Sequence, residues 1–409
     1  MDQSDRAVIS TADDAVNAKL SCVEKGYYED PFIRSMAKGV KGASSSHGGV
    51  TERNCSSFME PIIRKGTHAR VCAVDKAVGA FLKLRFGDDT SGVKDRRQVV
   101  ILGAGRDTSY LRHRFRYLEG FEENRVDWFE VDHSFVIQQK AHIWLRNCAP
   151  AGYSYKSEMN ASTGISYRAS FSRQHESDAD DSTYHLIGHD LRSSPSSLFE
   201  VLCDPFHGFE RSIPTIYVLE CVIMYLPYDI SCNLFRHLAG NGVEIGSNDQ
   251  MDTFATIAIY DPMPNHDRFG QVMLDNLQKR GIIGKGHKDG EDQQQLSLEI
   301  TRTLSDQLEK LTKSGFDIAV GCHMMDAYDH GIVSIDERRR AARCEMLDEL
   351  EEFVLLMRHY CLCVGVHCSG AQYQAAAEYL CSKSIGFKEG KCTVAHNVMQ
   401  THPCHNSTS

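Results

Sequence analysis

Gln98-Val99-Val100-Ile101-Leu102-Gly103-Ala104-Gly105 decides the fold. An apolar run that ends in Gly-x-Gly reads as a buried strand turning sharply, with glycines that let the backbone approach a ligand. One element later, the run Val126 to Val131 closes on Asp132, an acid placed to accept both hydroxyls of a ribose. Together they form the nucleotide-binding half of a doubly wound sheet. A dinucleotide fingerprint would carry a third small residue three places after Gly105. Thr108 stands there instead, preceded by Arg106-Asp107. The loop lacks a clear diphosphate cradle, which favours adenosine held through its ribose, with S-adenosylmethionine as the first candidate.

Working outward, four more strand candidates lie at Tyr184 to His189, Thr215 to Tyr225, Thr253 to Tyr260 and Phe316 to Cys322. Helix-capable stretches separate most of them, an alternation that predicts parallel α/β. Upstream, residues 11–86 read as mostly helical, since Ala73, Ala77, Ala80, Phe81 and Leu84 recur at helical spacing after the basic segment Arg64 to Arg70. Gly39 to Val50 is Gly/Ser-rich and reads as a flexible loop. Downstream, Met346, Leu347, Leu350, Phe353, Val354 and Met357 make a 3.6-period stripe. It predicts a long amphipathic helix leading into a short strand at Tyr360 to Val366. Two polar insertions interrupt the pattern. Residues 153–183, rich in Ser, Asn and charge, are expected to be disordered or loosely packed, and Gly284 to Gln295 is similarly polar. The chain thus divides into a helical N-terminal lid over 1–97, a core over 98–392, and an unstructured tail from 393.

Bulk properties narrow the function classes. With 42% hydrophobic and 24% charged residues among 409, the chain is an ordinary globular sequence with ample material for a core. A net charge of −10 gives no global support to phosphate-backbone binding, so a nucleic-acid partner is not expected. No run approaches the roughly 20 apolar residues needed to span a bilayer. The longest candidate, Ile213 to Leu226, is interrupted by Glu220. The N-terminus carries no secretion signature, and 15 scattered cysteines read as reduced thiols in the cytoplasm. Nothing in the pattern demands more than a monomer.

The chemistry concentrates in a few acids. Asp132 follows the Gly-x-Gly strand. Glu220 is the lone charge in Pro214 to Leu226, where burial costs several kcal/mol (roughly) unless it is paired or faces the ligand crevice of an open sheet. Asp190 closes the run His185 to His189. Three acids closing three successive strand candidates make a stronger constellation than any one alone. Arg70 and Lys19 are basic candidates in the helical segment: a cofactor or substrate carboxylate needs such a cation, but the residues alone read as a solvated basic helix face. The cluster His359, Cys361, Cys363, His367 and Cys368 has no standard zinc spacing, so cysteines in a core strand are expected and no metal.

These residues fall into ordered motifs: Gly26-Tyr27-Tyr28-Glu29-Asp30-Pro31-Phe32-Ile33, Lys65-Gly66-x-x-Ala69-Arg70, Leu102-Gly103-Ala104-Gly105-x-Asp107-Thr108 and Phe129-Glu130-Val131-Asp132. Ile187-Gly188-x-Asp190-Leu191-Arg192, Glu220-Cys221-Val222, Asp267-Arg268-Phe269-Gly270-Gln271 and Met357 to Cys363 continue the series. In this the sequence resembles the leucine carboxyl methyltransferases, S-adenosylmethionine-dependent enzymes acting on the C-terminal leucine of the protein phosphatase 2A catalytic subunit. The resemblance runs from Lys19 to about residue 390. It implies a Rossmann-like class I methyltransferase sheet that binds S-adenosyl-L-methionine, with the phosphatase subunit as partner. It also implies roles: Arg70 for the cofactor carboxylate, Gly103 in the cofactor loop, Asp132 for the ribose, Asp190 and Leu191 for adenine, Glu220 near the methionine moiety, and Lys19 as a further cofactor contact. Thr67-His68 departs from a family segment that is usually aromatic at its second position, and the insertion at 153–183 is longer than the family leads one to expect.

The reaction implied is in-line transfer of a methyl group from a sulfonium to a carboxylate oxygen. An α-carboxyl with a pKa of about 3.3–3.7 is already ionised at neutral pH, so no general base is needed. Arg70 and Tyr225 are expected to orient the acceptor carboxylate while the acids hold the cofactor. Two other readings stand beside this one: a related methyltransferase with another acceptor, such as a different carboxylate or a tRNA base, and a non-catalytic cofactor-binding scaffold on the phosphatase.

Overall fold

A computed structural model describes residues 3–41, 59–86, 95–115, 125–147, 153–160, 165–173, 182–240, 253–280 and 295–397. The strands are β1 (Arg96–Leu102), β2 (Arg125–Asp132), β3 (Tyr153–Asn160), β4 (Ser166–Arg173) and β5 (Thr183–Gly188), then β6 (Thr215–Glu220), β7 (Phe254–Pro262), β8 (Ile318–His323), β9 (Tyr360–Cys368) and β10 (Thr393–His396). They form one ten-stranded sheet in the order β10-β8-β9-β7-β6-β1-β2-β5-β4-β3. The five central strands, β5-β2-β1-β6-β7, run parallel, and the strand order reverses between β1 and β6. This is the doubly wound arrangement expected from the Gly103-x-Gly105 turn, and its switch point opens a crevice at the carboxyl ends of the strands.

β1 shows why the run decides the fold. Successive side chains of a strand point to opposite faces. Val99 and Ile101 enter the apolar layer that contains Ala73, Ala77 and Phe81 of the N-terminal helices, with Ile137, Ala141 and Trp144. Val100 and Leu102 enter the opposite layer, with Leu198, Phe199, Leu234, Phe235, Leu308 and Leu311. A strand covered on both faces needs an unbroken apolar run rather than an alternating one. Trp128 of β2 is fully buried in the first layer. Truncating a side chain of that kind to alanine costs about 3–5 kcal/mol.

Helices α1 (Gln3–Glu24), α2 (Ile33–Lys41) and α3 (Pro61–Leu82) precede the sheet. α3 starts with Pro61 at its first position, where the missing N–H costs nothing. Its residues Ala73, Ala77, Ala80 and Phe81 are buried as their spacing predicts, and Leu84 is buried just beyond the helix end. Of the stretch Gly39 to Val50, residues 39–41 finish α2 and the remainder lies outside the described residues.

Several expectations are corrected. The sheet is mixed, because β9 runs antiparallel to both β7 and β8. The connection from His323 to Tyr360 stays at one end of the sheet, so the chain must return in the opposite direction. Residues 153–183 are not simply loose: β3 and β4 form an antiparallel hairpin that extends the sheet from the edge of β5. The Ser-rich composition masked Tyr and Phe at strand-like spacing, and an available sheet edge satisfies the backbone. The segment from 393 likewise begins as a strand, β10, because Thr393-Val394-Ala395 covers the open edge of β8. The stripe from Met346 yields only a nine-residue helix, Leu350–Arg358, with Phe353 and Met357 buried and Leu350 exposed, and Met346 lies exposed before it. The expected strand Thr215 to Tyr225 ends at Glu220. Cys221 there takes a left-handed conformation (φ 58°), and Ile223–Tyr225 is a 3-10 turn. The polar run Gly284 to Gln295 lies outside the described residues up to its last position. Among the described residues no helix is long and apolar enough to cross a membrane.

Candidate cofactor and acceptor site

A cleft of about 780 Å³ lies at the switch point, and Lys19, Arg70, Gly103, Asp132, Asp190, Leu191, Glu220 and Tyr225 all border it. The structure therefore brings together every site residue expected from the sequence. Lys19 comes from α1 and Arg70 from α3, while Gly103, Asp132 and Glu220 stand at the ends of β1, β2 and β6. Asp190 and Leu191 follow β5, and Tyr225 ends the 3-10 turn after β6.

Gly103 and Gly105 both have positive φ, 71° and 51°. A side chain on Gly103 would run into Val222, the residue two beyond Glu220, so the turn is closed tightly against the neighbouring strand end. Gly105 N–H donates to Asp132 Oδ2 (2.6 Å) and His133 N–H to Oδ1 (2.6 Å). Burial pushes the Asp132 carboxyl above its ordinary value, and those two donors pull it back. The turn glycine and the strand-end acid read separately in the sequence are thus one hydrogen-bonded unit.

At the centre of the cleft four charges alternate. Lys19 Nζ lies 2.8 Å from Asp107 Oδ1 and 3.1 Å from Glu220 Oε2, and the other oxygen of Glu220 accepts from Arg70 Nε. Burial acts to raise Glu220, but Arg70 and Lys19 beside it hold it below its ordinary value. Asp107 is held well below its own by Lys19 and Arg112 against the same burial cost. For Lys19 the cost of burial is outweighed by Asp107 and Glu220, which raise it. Two formal cations balance two anions, so the group is neutral and tolerates its burial. The ion pairs also bolt α1 and α3 onto the strand ends.

Arg70 uses Nε for Glu220, and among the described residues no hydrogen bond involves its two Nη groups. Its guanidinium sits 5.1 Å from the centre of the Tyr260 ring, which fixes its plane. An oriented guanidinium with open Nη groups is a fork for a carboxylate. Asp190 has a different surrounding: its carboxylate is gripped by Arg192, at 2.8 Å from Nη2 and 3.0 Å from Nε. Burial raises this carboxyl and the hydrogen bonds from Arg192 lower it, with a net downward shift.

Asp107, Arg192, Tyr260 and Tyr360 also border the cleft, and none had been singled out for a site role from the sequence. Asp107 was within reach, since it sits inside the Gly-rich motif. The two tyrosines arrive from strands far along the chain and carried no signal of their own. Met59, Ile63, Leu356 and Met357 give the cleft an apolar part of its lining.

His68 points elsewhere. It is fully buried, its ring tilted at 42° against Tyr27 with the centroids 5.4 Å apart, and its Nε2 lies 2.6 Å from Glu337 and 3.3 Å from Cys72 Sγ. Glu337 is also held by Arg340 (2.8 Å to Nε), so its charge is already balanced. Only Thr67 of the Thr67-His68 pair borders the cleft. The cysteine-rich strand does not converge either. His359 pairs with Asp267 (3.1 Å), His367 pairs with Asp317 (3.1 Å), and Cys361 and Cys363 are fully buried in β9.

Comparison with known proteins follows the same lines. Residues 7–239 match the family described as Leucine carboxyl methyltransferase. A Yarrowia lipolytica protein named Leucine carboxyl methyltransferase 1 is 28% identical over 366 residues, covering 88% of this chain and 97% of that protein. A Caenorhabditis elegans protein of the same name is 30% identical over 360 residues, covering 88% of this chain and 90% of its own. Among solved structures, a DUF574 family protein from Streptomyces avermitilis superposes with a TM-score of 0.43 at 9% identity, covering 87% of this chain and 97% of that one. With a family match over more than half its length and relatives matched nearly end to end, the chain belongs to the leucine carboxyl methyltransferase family.

Proposed function

We propose that this chain methylates the α-carboxylate of the C-terminal leucine of the protein phosphatase 2A catalytic subunit, in the cytoplasm, with S-adenosyl-L-methionine as donor. The observation that carries the reading is the pairing of a ribose-type acid, Asp132, with an oriented and partly open guanidinium, Arg70, in one cleft. Asp132 would hold the ribose hydroxyls, Asp190 and Leu191 the adenine, and Lys19 and Arg70 the carboxylate of the methionine part. Glu220 fixes both cations and would lie near the methionine part of the donor. Tyr225 and the open Nη groups of Arg70 would orient the acceptor carboxylate.

When bound, S-adenosylmethionine supplies a sulfonium methyl group. The acceptor oxygen, oriented by Tyr225 and Arg70, would form the new O–C bond as the donor's S–C bond gave up its pair to sulfur, giving a methyl ester and S-adenosylhomocysteine. The acceptor is ionised at neutral pH (pKa about 3.3–3.7), so the residues need only align it and exclude water. The apolar lining residues Ile63, Leu356 and Met357 suit an aliphatic terminal side chain.

The test is methyl transfer to the phosphatase catalytic subunit, intact and lacking its terminal leucine. Label on the intact subunit alone supports the reading. No label on either, although the chain binds S-adenosylhomocysteine, leaves a cofactor-binding protein with a different acceptor or none.

A further inference from the structure

Lys310, in the helix Leu304–Lys313, is 3% exposed and does not border the cleft. Its Nζ donates to Ser231 Oγ at 2.6 Å and to Ser297 Oγ at 2.5 Å, and it faces the rings of Phe235 and Tyr228, 4.9 Å and 5.2 Å from their centres. Among the described residues it forms no ion pair. Both hydroxyls belong to segments that hold the chain directly after the 3-10 turn Ile223–Tyr225. Ser297 N–H donates to Leu226 C=O at 2.8 Å, and Leu226 N–H donates to Ile223 C=O at 3.0 Å, closing the turn. Tyr228 is held twice: its N–H donates to Gln295 C=O at 2.9 Å, and its C=O accepts from Ser231 Oγ at 2.6 Å. Met224, Tyr225, Leu296 and Leu298 share one apolar cluster, so the same segment also packs on the turn.

A buried ammonium group with no anion beside it is an expensive way to fill a core position. Replacing a buried charge by an apolar side chain of similar volume is often neutral or stabilising, and methionine would fill this space without the cost. What Nζ alone supplies is a pair of donors that tie Ser231 and Ser297 to one point. We infer that Lys310 is a positioning residue for methyl transfer: by clamping Ser231 and Ser297 it fixes the chain from Leu226 to Tyr228, and with it the place of Tyr225 in the cleft. The inference rests on the proposed role of Tyr225 in orienting the acceptor carboxylate. Reacting groups held about 1 Å out of place lose on the order of a hundredfold in rate, so a displaced turn is enough to matter.

The test is a double-mutant cycle on the full chain, with the phosphatase catalytic subunit as acceptor and Lys310→Met, Tyr225→Phe and the double variant compared. Lys310→Met should lower kcat/KM for the acceptor at least about tenfold. Binding of S-adenosylhomocysteine, read by calorimetry, should change less than about twofold, and the denaturant midpoint should not fall. In the Tyr225→Phe background the same change should cost less than about twofold, because the residue it acts through is already altered. If Lys310→Met does not fold, Ser297→Ala, which removes the acceptor nearest the turn, carries the same comparison. Equal losses in both backgrounds, a parallel loss of S-adenosylhomocysteine binding, or a lowered midpoint with acceptor kinetics unchanged overturn the inference, the last leaving Lys310 a purely structural residue. Failure of the unaltered chain to methylate the intact subunit is a different result: it removes the proposed acceptor and not merely the role of Lys310.

Discussion

Gly103 and Val222 close on each other across the switch point. With Gly103 at φ 71°, an added Cβ would lie 3.2 Å from Val222 Cγ1 and closer still to Cγ2. Gly103→Ala should therefore destabilise the protein by about 1–3 kcal/mol through overpacking, with backbone strain added. It should also weaken S-adenosylhomocysteine binding, since the turn borders the cleft. Thermal denaturation and calorimetry read the two effects. Adding Val222→Ala should restore part of the stability but leave the conformational strain, and full restoration would show that strain to be negligible.

Glu220 is the acid shared by Lys19 and Arg70. Glu220→Gln keeps the shape and removes the charge. Lys19 retains Asp107, but Arg70 loses its ionic partner in a site only 11% to 18% exposed. Breaking a buried pair from one side costs about 3–5 kcal/mol, and the partial exposure here places the expected loss near the lower end. Denaturant unfolding checks this, and an unchanged midpoint would mean the pairs hold no net energy.

Asp132→Ala removes the acceptor for the Gly105 and His133 amides as well as the group assigned to the ribose. S-adenosylhomocysteine affinity should fall on the order of tenfold to a hundredfold, about 1.4–2.7 kcal/mol. Asp132→Asn keeps one carbonyl acceptor and should fall between the two proteins. Equal affinity for all three would remove the ribose assignment.

Asp261 gives a pH prediction whose sign is fixed. Burial pushes its carboxyl up to about 8 from 3.8, opposed only in part by Lys310 and the Met224 amide. A folded-state value above the unfolded one means the contribution is full below the unfolded pKa and is lost as pH rises through the window toward the folded pKa. The slope is at most about 1.4 kcal/mol per pH unit. Asp261→Asn has no such term, so its stability relative to the unaltered protein should rise between pH 5 and pH 8. A difference that stays flat across the window would show that the carboxyl is ionised throughout.

What the sequence revealed and what it hid follow from range. Gly103, Asp132 and Glu220 were legible because a strand end, its glycine turn and a lone acid in an apolar run are local facts. The resemblance then added Lys19, Arg70 and Leu191. Asp107 was passed over because its significance lies in Lys19, which is far away in the sequence and adjacent only in the fold. Tyr260 and Tyr360 were invisible for the same reason: each is an unremarkable strand residue until β7 and β9 pair. β3, β4 and β10 were missed because an edge strand is stabilised by the partner it finds, and polar composition says little about whether one is offered. The kink at Cys221 was hidden because the apolar pattern continues across it.

Helix α1 has a consequence that reaches beyond the site it walls. It supplies Thr11, Ala12, Ala15 and Lys19 to the cleft, and Ala12 lies against Gly105. The cleft is therefore complete only when the first helix is docked, which makes docking and ligand affinity a single linked equilibrium. Linkage is reciprocal. Any macromolecule that grips α1 in another position must weaken the small ligand by the same factor by which that ligand loosens the grip, so the chain's leading helix is a handle through which occupancy of the cleft can be set from outside.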